Sequence, residues 1–162
     1  MSGKMIDSID ARILLALKDD PRATTIALAS TTQLSRNTVH ARIAKLEQMG
    51  ALRSFERRID PGSLGYTMTA FILTRVTQQK LSRISAALDG IPEVIEVHGL
   101  GGVTDLLIHV VAREADDLYR VAGRILDIEG VEQTTTALVM RKFIDYRLAP
   151  LLSSIAGDRV HD

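Results

Sequence analysis

The 162-residue sequence contains no cysteine. Disulfides, thiolate nucleophiles and cysteine-held metals are therefore excluded. Its four histidines, His40, His98, His109 and His161, are scattered, and no pair has a spacing that suggests a zinc site. Long hydrophobic runs are also lacking. The stretch Leu106–Ala112 is interrupted by a histidine and falls far short of the roughly 20 residues that span a bilayer. The opening MSGKMIDSIDAR has no apolar core of the kind a secretory signal needs. The expectation is a cytoplasmic protein with no membrane partner and no cofactor. Net charge is absent as well, with 20 basic and 20 acidic residues. The distribution is uneven, however. Residues 1–60 hold ten basic against seven acidic residues, and residues 33–58 hold six (Arg36, Arg42, Lys45, Arg53, Arg57, Arg58) against two. Clustering of this kind is the footprint of an anionic partner, although a solvated basic face has the same composition.

What is present is helical periodicity followed by strand alternation. Ile6, Ile9, Ile13, Leu14 and Leu17 recur at helical spacing, with Asp7 as N-cap or first-turn acid. Asp19-Asp20-Pro21 ends that helix, because a residue before proline avoids the helical region. A second helix is expected over 25–32, capped by Thr24 or Thr25, with Ile26, Leu28 and Ala29 turned inward. After Gln33-Leu34, Ser35 has the residue type of an N-cap for a third helix that runs to about Met49 and stops at Gly50. Val39, Ile43 and Leu46 form its apolar stripe, so Arg36, Asn37, His40, Ala41 and Ala44 lie toward the opposite face. Two helices joined by so short a turn make a helix-turn-helix. The outer face suits a reading helix: arginine pairs with guanine, asparagine with adenine, and alanines permit close approach to the major groove. Ser35 and Thr38 lie at the start of that helix, and Arg42 and Lys45 flank the face, where phosphates are the expected contacts. Thr25 and the free amides at the start of the second helix offer a phosphate site. Residues 51–60 read as a strand, with Arg53, Arg57 and Arg58 extending the positive track. Small three-helix bundles that never touch DNA are common, so it is the coincidence of short turn, small polar face and cations that favours double-stranded DNA. His40 divides evenly between a DNA contact and a solvated side chain.

The runs Ile6-Asp7-x-x-Asp10-x-x-Ile13-Leu14-x-x-Leu17, Leu28-Ala29-x-x-x-x-Leu34-Ser35, Val39-x-x-Arg42-Ile43-x-x-Leu46-Glu47-x-x-Gly50 and Ile59-Asp60-Pro61-x-x-Leu64-Gly65 follow in order. In order and spacing the chain resembles the Lrp/AsnC (feast/famine) transcription regulators. It departs from that pattern at Gln33, which stands in the turn where the family usually has glycine.

From residue 66 the period changes. Strands are expected over 68–77, 93–98, 105–112 and 131–140, with helices over 81–88 and 115–126. The β-α-β-β-α-β order implies a ferredoxin-like sheet with both helices on one face. The fold class expected is α+β. A winged helix-turn-helix three-helix domain over 5–65 precedes a ferredoxin-like domain over 66–145 and a loosely attached tail over 146–162. Small domains of this kind gain by pairing sheet to sheet with another subunit. The resemblance covers about residues 6–150 and implies a second domain that binds amino-acid effectors and builds dimers, with tetramers or octamers beyond them. The stretch it singles out is His98 and Gly101-Gly102-Val103-Thr104-Asp105, where Gly102 and Asp105 match the family and Val103 and Thr104 depart from it. Read from spacing alone, these glycines are a turn.

Three functions of different class are in view. One is a homo-oligomeric, sequence-specific DNA-binding transcription regulator, not an enzyme, modulated by a small-molecule effector of the amino-acid type. A second is an enzyme like the siroheme decarboxylases, which use the same fold, with His98 and His109 recruited to a porphyrin pocket. The third is an architectural DNA-binding protein without an effector, which the zero net charge disfavours.

Overall fold

The computed structural model describes residues 5–157; His161 and the end of the expected tail lie outside the described residues. The chain divides into two compact units. One holds the residues up to Arg57 together with those from Ile144 onward, and the other spans Arg58–Phe143.

In the first unit, helix α1 spans Ser8–Asp19, α2 Thr25–Thr32 and α3 Arg36–Gln48. Asp7 caps α1 through a capping box, accepting from the Asp10 amide while the Asp10 carboxylate accepts from the Asp7 amide. Thr24, not Thr25, caps α2 by accepting from the Ala27 amide, and Ser35 caps α3 by accepting from that of Thr38. Leu28, Ala29 and Val39 form the centre of the core, with Leu17, Leu34 and Ile43 packed around them. Leu34 thus fills the corner between α2 and α3. Ile26 does not face inward: it is 56% exposed, because the inward positions of so short a helix go to Leu28, Ala29 and Thr32.

Two expectations fail in this part of the chain. Residues 51–60 form no strand. Arg57 donates its amide to the Ser54 carbonyl, and Phe55–Arg58 winds into a 3-10 turn. The chain's four-stranded sheet does not pair with the segment, and an unpaired strand has no ladder to satisfy it. The second failure concerns the expected tail. Ala149–Ala156 forms helix α6, which packs against α1 within the first unit. Leu152 and Ala156 are partly buried there, while Leu151 and Ile155 face out.

The second unit is a four-stranded antiparallel sheet in the order β2-β3-β1-β4, built from β1 Met68–Val76, β2 Val94–Gly99, β3 Leu106–Ala112 and β4 Val131–Leu138. Helices α4, Leu81–Asp89, and α5, Ala115–Leu126, supply the crossovers, so the expected β-α-β-β-α-β order is present. Alternation along β1 sends Ala70, Ile72 and Val76 into a core with Ile108, Val110, Ile84, Leu88, Val121 and Ile125. The opposite face carries Phe71, Leu73 and Arg75 from β1, and the register sets them against His109 and Leu107 of β3 and against Ala137, Thr135 and Gln133 of β4. No helix of the unit covers that face. The α+β architecture is the one the period change implied.

Candidate nucleic-acid interface

The capping of α3 fixes where its first turn points. The Ser35 hydroxyl accepts from the Thr38 amide at 3.0 Å and lies 2.8 Å from the Thr38 hydroxyl, which is half-buried, so both residues help to start the helix. With Val39 and Leu46 fully buried, Arg36, Asn37, His40 and Ala41 are turned out and exposed, as expected. Ala44 is half-buried and does not belong to that face. The exposed set combines a guanidinium, a carboxamide, an imidazole and a methyl group on one helical surface. Side chains of these types read base edges. Thr25 is half-buried at the start of α2, and Arg53, Arg57 and Arg58 are all exposed beyond α3.

Arg42 and Lys45 are placed differently from the expectation. Arg42 Nη1 donates to the carboxylates of Asp7 and, at 3.1 Å, Asp10; Lys45 Nζ donates to Asp10 Oδ2 at 2.7 Å. Asp10 is 0% exposed. The pair expected at phosphates thus clamps α3 to the N-terminus of α1. A hydrogen bond from the Asp10 amide, then one from Arg42, holds the Asp7 carboxyl below its ordinary value, and the same contact with Asp7 raises the Arg42 guanidinium. The clamp was visible in the sequence as two acids three apart facing a basic pair three apart, a spacing that places each pair on one helical face.

The turn between α2 and α3 places Gln33 in the left-handed region, at φ 54° and ψ 41°. It is the one non-glycine residue with positive φ among the described residues. The departure from glycine therefore leaves the turn geometry in place, at the cost of local strain. Arg12 donates through Nη2 to the Thr32 carbonyl, holding the end of α2 just before that turn.

In the second unit the 101–105 stretch links β2 to β3. Gly102 has φ +135°, and a Cβ there would meet nothing within 4 Å, so the backbone conformation alone calls for glycine. Val103 is 90% exposed, Gly101 is exposed and Thr104 is half-buried. Asp105 orients the loop: Oδ2 accepts from the Val76 amide at 2.8 Å and Oδ1 from the Gln78 side-chain amide at 2.6 Å. His98 is exposed, with Nε2 3.5 Å from Glu96 Oε2, and does not line the cleft beside the loop. That cleft, of about 130 Å³, is bounded by Leu73, Arg75, Val103, Thr104, Gln133 and Thr135. Arg75, Gln133 and Thr135 were not anticipated. Their signal was strand alternation, which sets polar residues of β1 and β4 on the open face beside the loop.

His109 stacks on Phe71 at 4.6 Å on the same open face, and its buried Nε2 has no hydrogen-bond partner among the described residues. Burial lowers its basicity. Among the described residues no group of three or more potential ligands is placed to hold a metal, and no helix is long and apolar enough to cross a membrane.

Comparison with known proteins bears on both units. Residues 6–53 match the winged helix-turn-helix DNA-binding model, and residues 69–149 match the Lrp/AsnC ligand binding domain. The HTH-type transcriptional regulator FL11 of Pyrococcus horikoshii is 35% identical over 136 residues, covering 84% of this chain and 90% of the relative. AldR of Mycolicibacterium smegmatis, also an HTH-type transcriptional regulator, is 34% identical over 138 residues, covering 83% of this chain and 81% of its own. The structure of Escherichia coli AsnC aligns at a TM-score of 0.80 with 28% identity, covering 90% of this chain and 99% of that one. The relatives are named as regulators, which supports the DNA-binding reading over the enzymatic one. With a match to the winged helix-turn-helix model in the first unit, a match to the Lrp/AsnC ligand binding domain in the second and relatives that span both, the chain belongs to the Lrp/AsnC family of helix-turn-helix transcription regulators.

Proposed function

We propose that the protein is a homo-oligomeric, sequence-reading transcription regulator whose grip on double-stranded DNA is set by a small amino-acid effector. The observation that carries the reading is the outer face of α3, where Arg36, Asn37, His40 and Ala41 stand exposed while Val39 and Leu46 anchor the opposite side. Arg36 and Asn37 near the N-terminus of the helix read base edges, and Ala41 lets the helix lie close in the groove. Arg53, Arg57 and Arg58 follow the phosphate track, with Ser35, Thr38 and Thr25 at the two helix starts where backbone amides meet phosphate oxygens. Arg42 and Lys45 act indirectly, by holding α3 against α1.

Homo-oligomerisation is supported by the open sheet face, whose Phe71 and Leu107 are a natural seat for a second copy outside the cleft that Leu73 lines. Effector binding is supported by the family of the second unit and by the 101–105 loop, in which Gly102 exposes backbone and Asp105 fixes its form. A transcriptional regulator of similar fold from Neisseria meningitidis has been solved as a complex with L-methionine, a ligand of the class proposed. An effector that binds one assembly better than another shifts the spacing of the reading helices and so the affinity for DNA.

The test is a footprint on the DNA flanking its own gene, with and without a panel of amino acids. Sequence-preferring, salt-sensitive protection that an amino acid alters is expected. Arg36→Ala and Asn37→Ala should each lower discrimination by about 1–3 kcal/mol. Binding that ignores sequence and salt would refute the reading.

A further inference from the structure

We infer that Arg75 anchors the carboxylate of a small organic acid in the cleft between the 101–105 loop and strands β1 and β4. This deepens the effector reading and rests on it for the identity of the ligand class. Arg75 lies opposite Gln133 in the β1–β4 register, next to a shift in that register between Arg75 and Val76, and Leu73 lies opposite Thr135. Strand alternation puts all four side chains on the open sheet face, where Val103 and Thr104 close one side of the cleft. Arg75 forms no ion pair or hydrogen bond through its side chain with any described residue.

The nearby acids make their contacts elsewhere and none is paired with Arg75 among the described residues: Asp105 accepts from the Val76 amide and from Gln78, and Glu132 accepts from the Thr77 hydroxyl. The cleft lining therefore contains one cation, two hydroxyls and a carboxamide, with no carboxylate. A donor-rich, acid-free cleft around a guanidinium selects an anion, and the planar fork of arginine matches a carboxylate in two parallel bonds. Leu73 and Val103 provide apolar walls, so the anion carries carbon. At about 130 Å³ the space suits an acid with a short side chain. The larger cleft of the unit, between α4 and β2, has the opposite character: its charged lining residues are Asp89 and Glu96, both acids.

The experiment is calorimetric titration of the full chain with alanine, propionate, ethylamine and inorganic phosphate, each repeated on Arg75→Met and Arg75→Lys. Arg75 is exposed, so both variants should fold, and unchanged DNA binding without ligand checks that they do. Alanine and propionate should bind and ethylamine should not. Arg75→Met should weaken both acids by about tenfold or more, the loss expected for a charge-assisted pair, and Arg75→Lys should fall between. Phosphate binding as tightly as propionate would overturn the inference in favour of a simple anion site. So would amino-acid binding that survives Arg75→Met; if that binding still shifts DNA affinity, the effector reading stands without Arg75. Propionate that binds through Arg75 and leaves DNA affinity unchanged, with the amino acids equally silent, would uphold the anchor and refute the effector reading. No binding by either acid overturns the anchor, and a footprint that no amino acid of the panel alters overturns the effector reading as well.

Discussion

Thirteen buried side chains interlock between the sheet and its two helices in the second unit, whereas six apolar side chains are buried among the described residues of the first, Ala11, Ile13, Leu28, Ala29, Val39 and Leu46. The first unit adds what the second does not need, a buried carboxylate held by two cations. A small helical domain buries too little apolar surface for an ample margin, so an ion cluster that fixes two helices in one register serves where volume cannot. Such a cluster contributes orientation more readily than net stability. In this chain the element it orients is α3. The larger core can instead hold a sheet whose second face no helix of the unit covers.

The sharpest break of this contrast is a matched pair of substitutions. Ile108→Ala should cost the second unit about 4 kcal/mol, as lost transfer energy plus a cavity in a core that cannot collapse around it. Asp10→Ala should cost the first unit about 3 kcal/mol, the low end for breaking a buried pair because Arg42 and Lys45 still reach solvent. Hydrogen exchange followed peptide by peptide assigns each loss to its unit. Equal losses spread over both units would remove the division. Arg42→Met adds a functional reading. If Arg42 is a clamp, the salt dependence of DNA binding keeps its slope while sequence preference falls; a slope reduced by about one would return Arg42 to the phosphates.

Much of this contrast was legible in the sequence, and what was not has a physical reason. The strands and helices of the second unit follow periods that only a two-layer fold satisfies, so β1 to β4 fall close to their expected bounds. Ser35, Asp7 and Gly50 likewise announce helix ends by residue type. The strand expected over residues 51–60 fails because Leu52, Phe55 and Ile59, spaced three and four apart, do not alternate as a strand does, and among the described residues no strand pairs with the segment. The segment beyond residue 146 misled because a short apolar helix is indistinguishable in sequence from a loose end until its docking surface on α1 is known. Arg42 and Lys45 were assigned by charge alone, and their true partners lie more than thirty residues away. Arg75 escaped notice because a cleft formed by three chain segments has no spacing of its own.

Acid should separate the units without any substitution. The His109 imidazole is held below its ordinary value of 6.5, mainly by burial, with Glu96 opposing and His98 reinforcing the effect. Below 6.5 the unfolded chain binds the proton more readily than the folded one, so the second unit loses stability as pH falls from that point. Asp7 is held below 3.8, so its contribution to the first unit is present above that value and lost only as pH falls further. Thermal unfolding followed from pH 7.5 to 5 should therefore lower the second transition first, by an amount that His109→Phe removes. A first unit that melts earlier on acidification would reverse the assignment.

The smallest expected effect concerns the turn that positions α3. At φ 54° and ψ 41° Gln33 is near the centre of the left-handed basin, so Gln33→Gly removes the Cβ clash without moving the chain. The glycine also loosens the unfolded state, which offsets part of the gain. The balance should stabilise the first unit by less than about 1 kcal/mol and leave the second unchanged. Unaltered sequence preference in the footprint would mean that the turn tolerates strain without aiming the helix by it, leaving that task to Asp7, Asp10, Arg42 and Lys45. A change in preference larger than the change in stability would mean that the side chain at this position, rather than the ion cluster, sets the angle between α2 and α3.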